Sequence, residues 1–166
     1  KNYLWYLEKT FIVKKLTPYF RNKRKEITKS PLIYFYDLGL RNYTLGLFGN
    51  LFSLREIDFL FQNFVFNILR EELHFQAASL RFWRSKDGAE VDFIIDFGRE
   101  VLPIEVKYKS LREPAVKRSM KSFIAKYHPR EAWIINIDFK ATEKFNSTKT
   151  KFLPFWELII KYTQNE

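Results

Sequence analysis

Two short segments carry the residue types that phosphate chemistry needs. In Glu90-Val91-Asp92-Phe93-Ile94-Ile95-Asp96, strict alternation sends Val91, Phe93 and Ile95 to one face of a strand, and Glu90, Asp92 and Asp96 to the other. In Pro103-Ile104-Glu105-Val106-Lys107-Tyr108-Lys109, Ile104, Val106 and Tyr108 share a face, and Glu105, Lys107 and Lys109 share the opposite one. An Asp on one strand and a Glu-x-Lys on its neighbour suit a hard divalent cation, because Mg²⁺ takes carboxylate oxygens and waters and leaves positions for a phosphate. Such an ion stabilises charge on the scissile phosphate and acidifies a bound water, which Lys107 would orient. The expectation requires Asp92, Glu105 and Lys107 to converge within reach of one ion. The bland alternative is a solvated ladder of opposite charges across two strands.

The elements that must position these residues follow from composition and periodicity. The 166 residues fit one domain of ordinary size or one with a short appendage, and 46% hydrophobic residues with only 5 Gly and 6 Pro exclude a disordered or collagen-like chain. The absence of cysteine excludes a disulfide framework, a thiolate zinc site and a cysteine nucleophile, and makes a reducing cytoplasm the expected setting. Nothing approaches the roughly 18 consecutive apolar residues of a membrane span, so no membrane partner is expected. Lys plus Arg number 29 against 19 Asp plus Glu, a net charge of +10, which makes DNA or another polyanion a plausible partner. The chain starts at Lys1 and its one Met is Met120, so it reads as a fragment.

Asn2 to Glu8 reads as a short helical turn, Phe11 to Phe20 as a strand, the basic tract within Lys14 to Lys29 as a charged loop after it, and Leu32 to Tyr36 as a second strand left through a turn at Asp37-Leu38-Gly39-Leu40. This order suggests the tail of a winged-helix unit through about residue 45, with residues 46–166 forming the main domain. Apolar residues at three- and four-residue steps predict a helix from Arg55 to Leu73, with Ser53 and Glu56 as a capping box. Strands are expected over 79–84, 90–96 and 102–109, joined through Gly88 and Gly98. A helix opened by Pro114 and ended at His128-Pro129 follows, then a central strand over 132–137. Lys140 to Lys151 reads as a loop, and Pro154 as the start of a last helix. The fold class is mixed α/β, in the order helix, three strands, helix, strand, helix.

Asp92 followed by Pro103-Ile104-Glu105-Val106-Lys107, in that element order, resembles the core of the PD-(D/E)XK, or restriction-endonuclease-like, superfamily. Ser30-Pro31-Leu32-Ile33-Tyr34-Phe35-Tyr36-Asp37-Leu38-Gly39-Leu40, Gln62-Asn63-Phe64-Val65, Phe82-Trp83-Arg84 and Glu90-Val91-Asp92-Phe93 narrow the likeness. Together they resemble a prokaryotic family in which an AAA+ ATPase carries a carboxy-terminal domain of unknown function with a nuclease-like core. The resemblance implies Asp92, Glu105 and Lys107 as catalytic residues, and Asp92, Glu105 and Gln62 as Mg²⁺ ligands. It also implies the ATPase region as a partner outside this chain, since no phosphate-binding Gly-x-x-x-x-Gly-Lys-Ser/Thr loop, and so no ATP site, occurs in these residues. Relatives often carry glutamate where Gln62 stands, and an amide is the weaker ligand. Glu90, on the polar face beside Asp92, is the candidate for the missing charge.

Phosphate contacts are expected from the tract Arg21, Lys23, Arg24 and Lys25 and from the helix stripe Lys117, Arg118 and Lys121, with a solvated loop and a solvated helix face as the alternatives. His74 and His128 sit at helix ends and are given no chemistry. Trp83 and the 18 phenylalanines read mainly as core. The leading functional expectation is a DNA-binding, nuclease-like module of an ATPase with weak or lost Mg²⁺-dependent hydrolysis. The competing one is a catalytically silent interaction or regulatory domain.

Overall fold

The computed structural model describes residues 2–20, 30–47 and 56–160. Its organising element is a six-stranded mixed sheet formed by β3 (Ser79–Arg84), β4 (Glu90–Asp96), β5 (Val101–Val106), β6 (Glu131–Asn136), β7 (Ala141–Phe145) and β8 (Thr148–Pro154), in the spatial order β3-β4-β5-β6-β8-β7. The strands β3, β4 and β5 run antiparallel through short turns, where Gly88 and Gly98 take positive φ of 81° and 85° that a side chain would resist. The pairs β5/β6 and β6/β8 are parallel, and the long crossover from β5 to β6 is filled by a helix, α4 (Arg118–Tyr127). Five helices are described, the others being α1 (Asn2–Lys9), α2 (Leu38–Thr44), α3 (Ile57–Glu72) and α5 (Trp156–Ile160).

The two faces of the sheet bury two cores. On one, α3 lays Phe61, Val65, Phe66 and Leu69 over Phe82, Phe93, Ile95, Ile104 and Ile135. On the other, α4 lays Met120, Phe123 and Ile124 over Trp83, Val91, Ile94 and Ala132. Each fully buried side chain of this size contributes about 1.5–3 kcal/mol of transfer free energy, so the two helices are held by packing rather than by propensity.

The amino-terminal segment joins the first of these cores. β1 (Val13–Leu16) pairs antiparallel with β2 (Leu32–Phe35), and their inward residues Leu16 and Tyr34 belong to the α3-side cluster. The Tyr34 ring stacks on Phe66 with centroids 4.4 Å apart. Beyond β1, Tyr19 N donates to Phe82 O at 2.6 Å and Phe82 N to Thr17 O at 3.2 Å, extending the sheet past β3. The clamp between β2 and α3 is Asn63, which is 0% exposed: its Oδ1 accepts from Phe35 N at 2.9 Å and its Nδ2 donates to Phe35 O at 2.8 Å.

Several expectations are corrected. The turn at Asp37 is the amino cap of α2, with Leu40 N donating to Asp37 Oδ1 at 2.9 Å, so the residues read as turn-formers instead satisfy a helix start. The expected Ser53 cap lies outside the described residues. Glu56 itself occupies the N-cap position of α3, and its carboxylate pairs with Arg41, which is only 5% exposed. The strand expected to run to Lys109 ends at Val106, so Lys107 and Lys109 lie beyond it. Pro114 and Val116 precede α4 rather than opening it, because the helix begins at Arg118.

The polar stretch 140–151 is not a loop. It supplies the hairpin β7/β8, and Pro154 ends β8 instead of starting a helix. Its alternation is carried by Thr148, Thr150 and Phe152 inward against Lys149 and Lys151, and threonine's β-branch fits a pleated interior while its hydroxyl hides the apolar signal. Thr148 Oγ1 donates to Pro129 O at 2.7 Å, which satisfies that hydroxyl in the core.

Removing the Asn63 clamp leaves a partly buried strand N–H without its side-chain partner. Asn63→Ala is expected to lower unfolding stability by about 2–3 kcal/mol, read as a drop in the urea midpoint. A loss below about 0.5 kcal/mol, the level of an ordinary surface change, contradicts the role given to this residue.

Candidate functional site

The site is built where β4 and β5 part. On the β3 side of β4, Arg81 pairs with Ile94 and Trp83 with Val91, so two residues, Asp92 and Phe93, face the single residue Phe82. This is a β-bulge, a device that re-aims a side chain. It breaks the alternation expected for the strand: Val91 joins Ile94 on the α4 side, while Phe93 and Ile95 face α3. The Asp92 carboxylate reaches α3, accepting from Gln62 Nε2 at 2.8 Å through Oδ1.

Its other oxygen, Oδ2, accepts from Val106 N at 2.7 Å. The β4/β5 register ends at Phe93↔Ile104, so the N–H of Val106, the last residue of β5, has no ladder partner on β4. Asp92 supplies one. The next N–H, that of Lys107, turns the other way and donates to Ile135 O at 2.9 Å.

Glu105 is 2% exposed and points away from the face that Ile104 and Val106 share. Its Oε1 lies 2.7 Å from Lys117 Nζ. Lys117 is the N-cap residue of α4 with extended backbone; its side chain is 59% exposed, and its Nζ reaches Glu105 from the solvent side. Lys107 Nζ donates to Ala115 O at 2.9 Å. Gln62, Asp92, Lys107, Lys109 and Lys117, with Asp58 of α3, line one open cleft of roughly 720 Å³.

The electrostatics follow from this crowding. Burial pushes the Asp92 carboxyl up to about 7; the Val106 N–H opposes this, Glu105 and Glu90 add to it, and Lys117 opposes it. Burial lowers Lys107 below the ordinary lysine range, aided by Lys117 and Lys109 and opposed by Glu105 and Asp92. Burial also works against Lys117, yet the hydrogen bond and charge of Glu105, with Asp92 and Asp58, hold its ammonium above that range.

A resident Mg²⁺ does not fit this donor set. Both Asp92 oxygens accept hydrogen bonds, from Gln62 Nε2 and Val106 N, while Glu105 has the Lys117 ammonium 2.7 Å from Oε1 as an ion pair and no other donor at either oxygen among the described residues. Gln62 turns its amide N–H₂ toward Asp92, and in that orientation it is a donor to the carboxylate and not a metal ligand. Among the described residues no group of three or more His, Asp and Glu gathers where an ion could sit. Glu90 does not fill the gap, since its Oε2 is held by Arg84 at 2.8 Å.

The expected basic stripe disperses. Lys117 enters the site, Arg118 lines a separate cleft with Lys126, Ser119 and Ser122, and Lys121 Nζ lies 5.2 Å from the Phe145 ring centroid. Arg21, Lys23, Arg24 and Lys25 lie outside the described residues. Trp83 is core, its Nε1 donating to Tyr127 Oη at 3.3 Å. Lys117 was legible only as a basic helix residue, because its link to Glu105 depends on the path of residues 107–117, for which no periodic signal exists.

The chain belongs to the family described as Domain of unknown function (DUF4143), which matches residues 57–158 and so covers the sheet and the site. Residues 1–51 match a second family, Domain of unknown function (DUF8612). The chain is similar to an uncharacterized protein of Mycobacterium tuberculosis and to one of Mycobacterium bovis, each 32% identical over 124 residues, 74% of this chain and 27% of the relative. The match thus spans about a quarter of the length of these curated relatives. Among the described residues no helix is long and apolar enough to cross a membrane.

The raised Asp92 carboxyl links folding to pH. Its ordinary value is 3.8 and its folded value about 7, so between these the folded chain holds a proton that the unfolded chain releases. Stability from this group therefore falls as pH rises from about 4 to 7 and stays lowered above. Asp92→Asn keeps a neutral acceptor for Val106 N and removes that fall. In chelator, the variant's urea midpoint is expected to rise relative to the native chain between pH 5 and pH 8; an equal difference at both would refute the assignment.

Proposed function

We propose that the chain is a restriction-endonuclease-like, nucleic-acid-binding module of a larger ATPase-containing protein, in which the old hydrolytic centre serves recognition rather than cleavage. One observation carries this reading: Gln62, Asp92 and Lys107, from a helix, a bulged strand and a strand end, line one cleft where β4 and β5 diverge, while Glu105 turns to the other face of the sheet and is linked to the cleft through Lys117. The element order α3, β3-β4-β5, α4, β6 supports the nuclease-like assignment. Lys107, Lys109 and Lys117 on the cleft wall, in a chain of net charge +10, support an anionic ligand. The occupation of both Asp92 oxygens by nitrogen donors, and the ion pair of Glu105 with Lys117, argue against hydrolysis, since shared folds host lost activities. The ATPase partner rests on the resemblance of the motifs, and the greater length of the relatives leaves room for it.

A second reading, a silent docking domain for its own ATPase region, draws support from Tyr3, Trp5 and Tyr6 of α1, all of them exposed. It predicts a complex with that region that survives nuclease treatment.

The two separate on salt. Binding of labelled duplex DNA, followed by anisotropy, is expected to weaken steeply with salt, and Lys109→Ala is expected to flatten the log–log slope by about one. Salt-independent binding, or none, removes the nucleic-acid reading. Supercoiled plasmid is expected to stay intact in Mg²⁺ or Mn²⁺. Nicking that needs the metal and disappears in Lys107→Ala would restore a hydrolytic role.

A further inference from the structure

The misfit between this donor set and a divalent ion has a positive counterpart. We infer that Lys117 is the resident cation of the site: its ammonium balances the buried Glu105 where a nuclease-like centre would hold a metal, and residues 107–117 form the clasp that delivers it. The inference concerns the acidic pair and does not require nucleic acid to be the ligand.

Burying a carboxylate to 2% exposure is costly unless a group of opposite charge accompanies it, and Lys117 Nζ at 2.7 Å is that partner. Geometry makes the partnership specific. Lys117 has φ −64° and ψ 155°, an extended conformation at the mouth of α4, makes no side-chain cap with its own helix, and keeps its stem 59% exposed while its ammonium reaches Glu105. The helix beyond is fixed by Met120, Phe123 and Ile124 in the second core. At the other end, Lys107 Nζ holds Ala115 O at 2.9 Å, two residues before Lys117. The segment is therefore tied to the end of β5 at both extremities.

The other charged groups around the ammonium are accounted for. Asp92 and Asp58 lie near enough to favour its charge, and Lys107 repels it. Glu90 is held by Arg84. A divalent ion entering this arrangement must displace the Lys117 ammonium from Glu105 and the Gln62 amide from Asp92, against the repulsion of Lys107. The site is thus self-neutralised, and only loss of the Lys117 charge opens it to metal.

Calorimetric titration with Mn²⁺ tests this directly. The native chain is expected to bind no Mn²⁺ at the site at millimolar concentration. Lys117→Met is expected to bind one ion at least about tenfold more tightly than the native chain does, with an unfolding midpoint that rises with Mn²⁺. Adding Glu105→Gln to that variant should remove both effects, while Lys117→Arg should remain metal-free.

Mn²⁺ uptake by the native chain that Glu105→Gln abolishes overturns the inference, and this measurement needs no Lys117 variant to fold. A folded Lys117→Met with no gain in Mn²⁺ binding overturns it as well. Failure of DNA binding leaves these outcomes untouched, so the two proposals fall separately.

Discussion

A strand that outruns its neighbour leaves a backbone N–H to be satisfied, and that constraint shapes the site. Val106 ends β5 where β4 no longer pairs with it, and its N–H donates to a carboxylate brought round by the bulge at Asp92. The same carboxylate takes the Gln62 amide and so fastens α3 to the sheet end. One side chain thereby joins a helix and two strands. The cost is a partly desolvated negative charge beside another, Glu105, which is why a proton or a cation is favoured here. Lys117 meets that demand from α4, so the helices on the two faces are linked through one small group of charges.

Legibility followed the strength of the periodic signal. The helix α3 and the strands β3, β4 and β5 were readable because apolar spacing and glycine turns coincide in them. Asp92 and Glu105 were readable as lying on adjacent strands, but not the face to which each turns. Nor were their exact partners, because a bulge is one added residue with no compositional mark, and it moved Asp92 to the side of Phe93. The hairpin β7/β8 was hidden by threonines and lysines: Thr148 and Thr150 are buried, and their polarity gives the sequence of a loop. Lys107 was assigned to a strand that stops at Val106, since the hydrogen bond that ends β5 comes from a distant side chain and not from a local breaker.

The amino-terminal segment bears on the site through a single helical turn. Gln62 and Asn63 are consecutive on α3 and face in different directions, Gln62 to Asp92 and Asn63 to the backbone of Phe35 in β2. Tyr34, next to Phe35, stacks on Phe66 and Phe59, one turn to either side of those amides. Its phenol is kept protonated first by burial and then by the charges of Asp92 and Glu90. A displacement of β2 must therefore move the turn of α3 that holds Asp92, because the two share both backbone clamps and ring contacts. The part of the chain matched by one family thus grips the helix from which the other builds its site. Packed interiors transmit such shifts rather than absorb them, since there is no free volume into which a stacked ring can yield.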